Sequence, residues 1–395
     1  MIMGQPIRKK IQNIHPELIK EKPFYTLLVD GNSLLFMCMR DESMNDNNIH
    51  VGGIYQFLLQ LRMMMSKRDF DYVYVFFDDE YSGWLRWNEY KSYKANRDKH
   101  YEDYGMSDYM KNYNQTIKNM KNYFCDKNKK VKKPKDSWEK FIDENFDRER
   151  NSLMRYFEEI FIRCYMNDIV EGDDLISYYC QNKKENEKIY IMSGDMDLTQ
   201  LLADDIALYE LHKKKFITKQ NFKDYFGYYF GNTLIKKIFC GDVSDNIGNI
   251  KGLSEDGFVK LMPEFKTRRI TIDDVKERAK TLINERINNG KKPLKLHENI
   301  INGISNKEYD GNFYEINEKI INLMHPIMND EAKETMDNMM YSPLDPEGRS
   351  FTNLYRLILE DGINELKGDT KFATFFSPFK KLEEKEKKRF ADTQN

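Results

Sequence analysis

The sequence predicts an α/β fold in which a parallel sheet is flanked by helices. Four short apolar runs have the length and composition of buried strands. They cover residues 25–29, 72–77, 189–192 and 206–209. Helical patterns separate the first three runs, and this alternation is typical of parallel strands connected by helices.

The composition is that of a globular protein with a sizeable core. A chain of 395 residues has room for one large or two ordinary domains. Its 32% charged and 40% hydrophobic residues argue against a disordered or fibrous protein. Five cysteines without a CxxC pattern disfavour a disulfide framework or a zinc site. No signal-like or membrane-length apolar run is present, so we expect a cytoplasmic protein that is not membrane-inserted.

One internal segment is strongly basic although the whole chain has a net charge of −2. Residues 84–140 contain fifteen Lys or Arg and eight Asp or Glu. Within them, residues 111–135 show little apolar periodicity. We therefore expect a mobile arm or arch that projects from the sheet.

The sequence beyond Gly241 is polar and mostly helical in pattern. A capping-box-like pair, Thr271 and Asp274, predicts the start of one helix. An apolar cluster follows at residues 320–324. The alternating charges of residues 380–390 predict a solvated tail, which could form a helix extension.

Nine acidic residues stand at the ends of predicted elements, where an open parallel sheet binds its ligands. Asp30 and Asp78 end the first two strands, and Asp195 and Asp197 follow the third. Residues i and i+2 of an extended segment point the same way, so the last two can face one ligand. The other five acids are Glu171, Asp173 and Asp174 before a helical stretch, and Asp242 and Asp245 in GDVSDNIG.

These acids have two possible explanations. Acids before a helix cap its free amides, which is an even alternative for the Glu171 group, and an aspartate before GNS is a common turn. The whole set, however, consists of oxygen ligands without His or Cys, which favours Mg²⁺ or Mn²⁺ over zinc. Two such ions ~4 Å apart would clamp the attacking and leaving oxygens of a phosphodiester.

A basic and aromatic stretch, SGWLRWNEYKSYKANR, begins four residues after Asp78. It places Arg86, Lys94 and Arg97 among tryptophan and tyrosine residues that include Tyr93. Such a stretch can hold phosphates and stack on unpaired bases. The alternative is an ordinary amphipathic helix with a solvated basic face.

Taken together, these motifs resemble the 5′ to 3′ exonuclease and flap endonuclease family, and within it the T-even-type phage RNase H group. The resemblance covers roughly residues 24 to 262 and continues more weakly to about residue 376. It rests on Asp30 with GNS, Asp78 with SG and YKANR, EGDD, SGDMDLTQLL, and GDVSDNIGNIKGL.

The resemblance implies a PIN-like nuclease that depends on two Mg²⁺ ions, with Mn²⁺ as a substitute. Its substrates would be DNA and RNA–DNA hybrids with 5′ ends or flaps, cut during the removal of primers in DNA replication. It also implies an N-terminal extension (1–23), a nuclease domain (24–240, with an arch at about 84–165), a helix-hairpin-helix and C-terminal helical region (241–376), and a charged tail (377–395). We expect a monomer.

Site roles follow by position from the same resemblance. Asp30, Asp78, Asp173 and Asp195 resemble the acids that bind metal directly. Arg86 and Lys94 resemble catalytic residues at the arch base that contact the scissile phosphate. Tyr93, Arg97, Lys251 and Lys260 are expected to bind nucleic acid. The outer acids, which bind the second ion largely through water, are matched by Glu171, Asp174, Asp197, Asp242 and Asp245.

Two departures from the family pattern concern DNA binding. The hairpin reads GNIKGLSEDGF, with Ser254 at a usual glycine and Asp256 where a basic residue is common. Because turn amides ordinarily hold phosphate, duplex anchoring would shift toward Lys251, Lys260 and the region beyond. The segment between Arg97 and Glu171 is also long, which suggests an enlarged arch.

Two rival functions and one partner motif are open on the sequence. The chain could be a non-catalytic structure-specific DNA-binding protein, although all nine acids are retained. It could be a single-strand ribonuclease, although such enzymes lack YKANR and the GDxSDN hairpin. The segment TFFSPF is either a motif for a sliding clamp or single-strand-binding protein, or a helix end that packs its phenylalanines, and the second is favoured.

Overall fold

The computed structural model describes residues 22–97, 101, 104–105 and 137–394. Most of the predicted N-terminal extension and the whole polar stretch 111–135 of the predicted arch therefore lie outside the described residues. Within the described residues, no helix is both long and apolar enough to span a membrane.

The described residues form a six-stranded sheet in the order β3-β2-β1-β4-β5-β6. The first five strands are parallel, and β6 pairs antiparallel with β5. All four predicted strands are confirmed, but β3 and β6 were missed because one has a half-polar sequence and the other is only three residues long. The strands are β1 (Phe24–Asp30), β2 (Tyr72–Asp78), β3 (Arg163–Asn167), β4 (Glu187–Ser193), β5 (Ile206–Glu210) and β6 (Lys215–Ile217).

Helices cover both faces of this sheet. Thr271 opens α9 with the predicted capping box, because its hydroxyl accepts from the Asp274 amide while the Asp274 carboxylate accepts from the Thr271 amide. The helices are α1 (Gly31–Cys38), α2 (Gly52–Lys67), α3 (Trp84–Glu89), α4 (Ser137–Glu159), α5 (Gly172–Gln181), α6 (Phe222–Phe226), α7 (Thr233–Cys240), α8 (Glu255–Leu261), α9 (Ile272–Asn288), α10 (Lys295–Asn302), α11 (Phe313–Ile321), α12 (Asp330–Met339), α13 (Phe351–Asp361), α14 (Asp369–Phe376) and α15 (Lys380–Thr393).

The sheet separates two hydrophobic cores. Successive strand residues point to opposite faces, so Leu28 of β1 packs in one core while Leu27 and Val29 pack in the other. The first core is completed by α5 and by the helices from α7 to α12. The second is completed by α1, α2, α4 and the last three helices. This arrangement leaves the carboxyl edge of the parallel strands for the site.

The C-terminal helix corrects the expectation of a solvated tail. Leu382 and Glu386 of α15 are fully buried, and Glu386 forms a buried ion pair with Arg163 of β3. Arg389 also binds Glu386 and places its guanidinium over the ring of Tyr72. The alternating charges concealed this face, because the buried partner of Glu386, Arg163, comes from a distant strand.

The segment TFFSPF also packs inward. Phe375, Phe376 and Phe379 are buried in the second core. The sliding-clamp or single-strand-binding motif would need these rings to be accessible, whereas the alternative, a helix end that packs its phenylalanines, matches the structure.

Candidate metal and nucleic-acid site

The strand ends bring the predicted acids to one cavity of about 850 Å³. The close approach of two strands explains the glycine after Asp30, since a Cβ on Gly31 would lie 2.6 Å from the ring of Phe77. Eight of the nine acids line the cavity, and they are Asp30, Asp78, Glu171, Asp173, Asp195, Asp197, Asp242 and Asp245. The predicted convergence of strand-end carboxylates is therefore found in the structure, with Asp174 outside the lining.

Asp30 is held in place from two sides. It caps α1 by accepting from the Ser33 amide at 2.9 Å, and its second oxygen accepts from the Ser193 hydroxyl at 2.6 Å. Burial raises its pKa to about 7 although both serines oppose this, and the neighbouring Asp78 and Asp195 carboxylates raise the pKa further. The two serines thus fix the orientation of Asp30, and a cation in the cavity would favour its ionised form.

Asp78 and Asp173 extend the same crowded group. The amide of Gly172, the first residue of α5, donates to Asp78 at 2.6 Å. Burial and then the Asp195 and Asp30 carboxylates raise the pKa of Asp173 well above its ordinary value. Like charges this close are stable together only with a counterion, and oxygen donors of this kind suit a hard divalent cation.

A second acid group contains an ammonium that sequence reasoning missed. Oxygens of Asp197, Asp242 and Asp245 lie within 4.8 Å of one another, as in a metal site. Lys237 of α7 forms ion pairs with Asp197 and Asp242. The Lys237 ammonium thus lies between two of these three carboxylates. Its only sequence signal is a spacing of five residues from Asp242.

The two carboxylates that Lys237 bridges respond differently. Burial and the Asp195 carboxylate raise the pKa of Asp197 to about 7, although Lys237 lowers it. Burial would also raise the pKa of Asp242, but Lys237 and the Ser244 hydroxyl lower it to about 2. One ammonium therefore neutralises only part of the negative charge in this group.

Arg86, predicted to contact the scissile phosphate, is buried in the structure. Its guanidinium pairs with Glu171 and with both oxygens of Asp174, and its Nε donates to the Ile320 carbonyl at 2.9 Å. Asp174 also accepts from the Ile327 amide at 3.0 Å. Arg86 and Asp174 therefore join α3, α5 and the α11 region, and Arg86 also lines the cavity.

Lys94 and Tyr93 also converge on Glu171. The Lys94 ammonium pairs with one carboxylate oxygen, and the Tyr93 hydroxyl donates to the other at 2.9 Å. Burial would raise the pKa of Glu171, but Lys94 and Arg86 lower it to about 2. Tyr93 is only 2% exposed, so in this structure it supports Glu171 and has no free ring face for a base.

The other predicted nucleic-acid contacts lie at the rim and beyond it. Arg97 lines the cavity, pairs with Asp245 at 2.8 Å and keeps almost half of its side chain exposed. Lys251 and Lys260 are exposed and lie outside the cavity lining, near the turn between α7 and α8. Ser254, the departure from the family pattern, caps α8 through the Gly257 amide.

The comparisons with known proteins agree with this architecture. A family model for the 5′-3′ exonuclease N-terminal resolvase-like domain matches residues 25–227. DNA polymerase I of Bacillus subtilis is 24% identical over 268 residues, which are 66% of this chain and 26% of that protein. A 5′-3′ exonuclease of Mycoplasmopsis pulmonis is 31% identical over 106 residues, 27% of this chain and 36% of that protein. The chain thus spans about a quarter of the length of the DNA polymerase I relatives.

Solved structures share the fold. The bacteriophage T5 D15 protein, crystallised with metal ions, superposes with a TM-score of 0.52 at 14% identity over 92% of this chain and 99% of that one. The D15 flap endonuclease in a complex with DNA and metal ions gives the same values. Because the family model matches just over half of the 395 residues, this chain belongs to the 5′-3′ exonuclease family.

Proposed function

We propose that this protein is a Mg²⁺-dependent, structure-specific 5′ nuclease that removes RNA primers and 5′ flaps. The observation that carries the proposal is the cavity that eight carboxylates line together with the basic residues Lys94 and Arg97. The relatives named DNA polymerase I support a role in replication. The T5 protein named a flap endonuclease supports flap cutting. RNase H activity is the finer part of the proposal and rests on the sequence resemblance.

We assign the acids to two cation sites. Asp30, Asp78, Asp173 and Asp195 would hold one ion at the strand ends. Asp197, Asp242 and Asp245 would hold the other. When bound, two such ions supply charge stabilisation for the attacking and leaving oxygens of the phosphodiester. Mn²⁺ has the same preference for oxygen ligands and would substitute.

The protein's own cations bring the substrate to this acidic cavity. Arg97 is placed at the rim, where it can exchange its pair with Asp245 for a phosphate. Lys94 lines the cavity and is held by Glu171, so contact with the scissile phosphate would require that ion pair to loosen. Arg86 also lines the cavity, where it neutralises Glu171 and Asp174 and so sets the shape of the wall.

A cleavage assay tests the proposal. We would incubate the protein with two 5′-labelled substrates, a DNA flap and an RNA–DNA hybrid, in Mg²⁺, in Mn²⁺ and in EDTA. Metal-dependent release of short 5′ products is expected, and the ratio of the two rates ranks the substrates. Tight binding without cleavage in either metal would instead support a structural DNA-binding protein.

A further inference from the structure

A segment between α10 and α11, residues 304–309, closes over the chain that follows the second acid group. We call this segment the clasp, and we call residues 242–247 the acid loop. The clasp pairs with residues 248–251, just beyond the acid loop. The connecting bonds run from the Lys251 amide to the Ile304 carbonyl at 2.9 Å, from the Asn306 amide to the Asn249 carbonyl at 3.0 Å, and from the Asn249 amide to the Asn306 side chain at 3.0 Å.

Lys307 of the clasp reaches into the acid loop itself. Its ammonium donates to the Asn246 carbonyl at 2.8 Å and to the Asn246 side-chain oxygen. Asn246 directly follows Asp245 and has a φ of +59°, a left-handed conformation that asparagine adopts more readily than most residues other than glycine. Lys307 therefore binds the one acid-loop residue that has this conformation.

Asn246 connects the clasp to the arch base, which we define as residues 90–97. The side-chain nitrogen of Asn246 donates to the Ser92 carbonyl at 2.6 Å. On the clasp side, the ring of Tyr309 stacks on that of Tyr90 with centroids 4.5 Å apart, and its hydroxyl accepts from the Gly248 amide at 2.9 Å. The clasp thus contacts both structures that border the acid group.

Besides the clasp, the acid loop is held by Lys94, whose amide donates to the Asp245 carbonyl at 2.9 Å, and by its own turn, in which the Ser244 amide donates to Asp242 at 2.8 Å. Val243 at its centre is 89% exposed. The loop is closed by the bridge between Asp242 and Ile247, and two carbonyls on its outer side accept from Asn96 of the arch base. Because Asp242 and Asp245 repel each other and Asp197, an unsupported loop would relax by moving them apart.

We propose that Lys307 is a positioning residue that holds Asp242 and Asp245 at the spacing a divalent cation requires. It acts through Asn246 and contacts neither the cation nor the nucleic acid. The inference rests on the proposed function, since it concerns the second cation site of that nuclease. Residues that orient metal ligands commonly change metal affinity by about 10- to 100-fold when they are replaced.

The test is to measure Mn²⁺ binding to the full chain in the absence of nucleic acid. Calorimetry and electron paramagnetic resonance would each report the number and affinity of the Mn²⁺ sites. We expect Lys307→Met to weaken one of two Mn²⁺ sites by about tenfold or more, and to leave the other unchanged. Lys307→Arg should restore most of the affinity, because a guanidinium can still donate to Asn246. Lys333→Met, on the exposed face of α12, is the matched control for loss of one positive charge.

A second variant keeps the test decisive if Lys307→Met does not fold. Asn246→Gly tolerates the left-handed backbone but removes the side chain that binds Ser92 and Lys307, so it should weaken the same site. Two wild-type-like sites in these folded variants would overturn the inference and leave the proposed function intact. A wild-type chain that binds no Mn²⁺ would overturn both.

Discussion

Arg86 provides the sharpest test of how the site is built. Replacing it with Met keeps an apolar stem of similar length but removes the guanidinium that pairs with Glu171 and Asp174. The side chains of the three residues are at most 7% exposed, so solvent cannot replace the lost charge. The Ile320 carbonyl also loses its donor.

The expected cost follows from this burial. Removing one partner of a buried ion pair destabilises a protein by about 3 to 5 kcal/mol, because a buried charge is left uncompensated. Lys94 still neutralises Glu171, so most of the cost comes from Asp174, which keeps only the Ile327 amide. The matched control is Arg97→Met, since exposed pairs such as Arg97 with Asp245 contribute about 0 to 1 kcal/mol.

Urea unfolding followed by circular dichroism measures this difference. With a slope of about 3 kcal/mol per M, the midpoint should fall by about 1 to 1.7 M for Arg86→Met. The midpoint of the Arg97→Met control should fall by about 0.3 M or less. If Arg86→Met unfolds within about 0.3 M of the wild type, the buried pair does not have the role described above.

Three further outcomes are expected. Asp195→Asn should abolish cleavage but keep nucleic-acid binding in a filter assay, because the acids bind ions and the arch base binds phosphates; cleavage at the wild-type rate would remove Asp195 from the mechanism. Mg²⁺ should raise the melting temperature more at pH 8 than at pH 5.5 at equal ionic strength. The reason is that the pKa values of Asp30 and Asp197 are raised to about 7 in the folded protein. Without metal, both carboxylates therefore lose their protons as the pH rises through about 7, and the folded state is destabilised because they then repel their neighbours. Equal shifts of the melting temperature at both pH values would contradict this. Glu386→Ala should lower the free energy of unfolding in urea by about 3 to 5 kcal/mol, because the Arg163 guanidinium stays buried without its carboxylate partner. Lys388→Ala, at an exposed position of the same helix, should change it little. Equal urea midpoints for the two variants would support the expected solvated tail instead.

The sequence predicted the parts of the fold that depend on short-range patterns. Four apolar runs marked the strands at the middle of the sheet, and the acids that follow them had to meet because parallel strands end at one edge. Thr271 and Asp274 also marked the start of a helix, because the two partners of a capping box lie within one turn and can be recognised from the local sequence. Strand β3 escaped because only its long-range pairing with β2 makes RCYMN a strand.

The sequence by itself determined where the carboxylates gather and which cation chemistry they suit. Only the tertiary structure decided which of the charged side chains form ion pairs with one another. Arg86 looked like a phosphate contact and is buried between two acids, whereas Lys237 and Lys307, which no sequence motif singled out, border the second acid group. The physical reason is that an ion pair depends on distance in space and on loss of water, and neither can be read from separation along the chain.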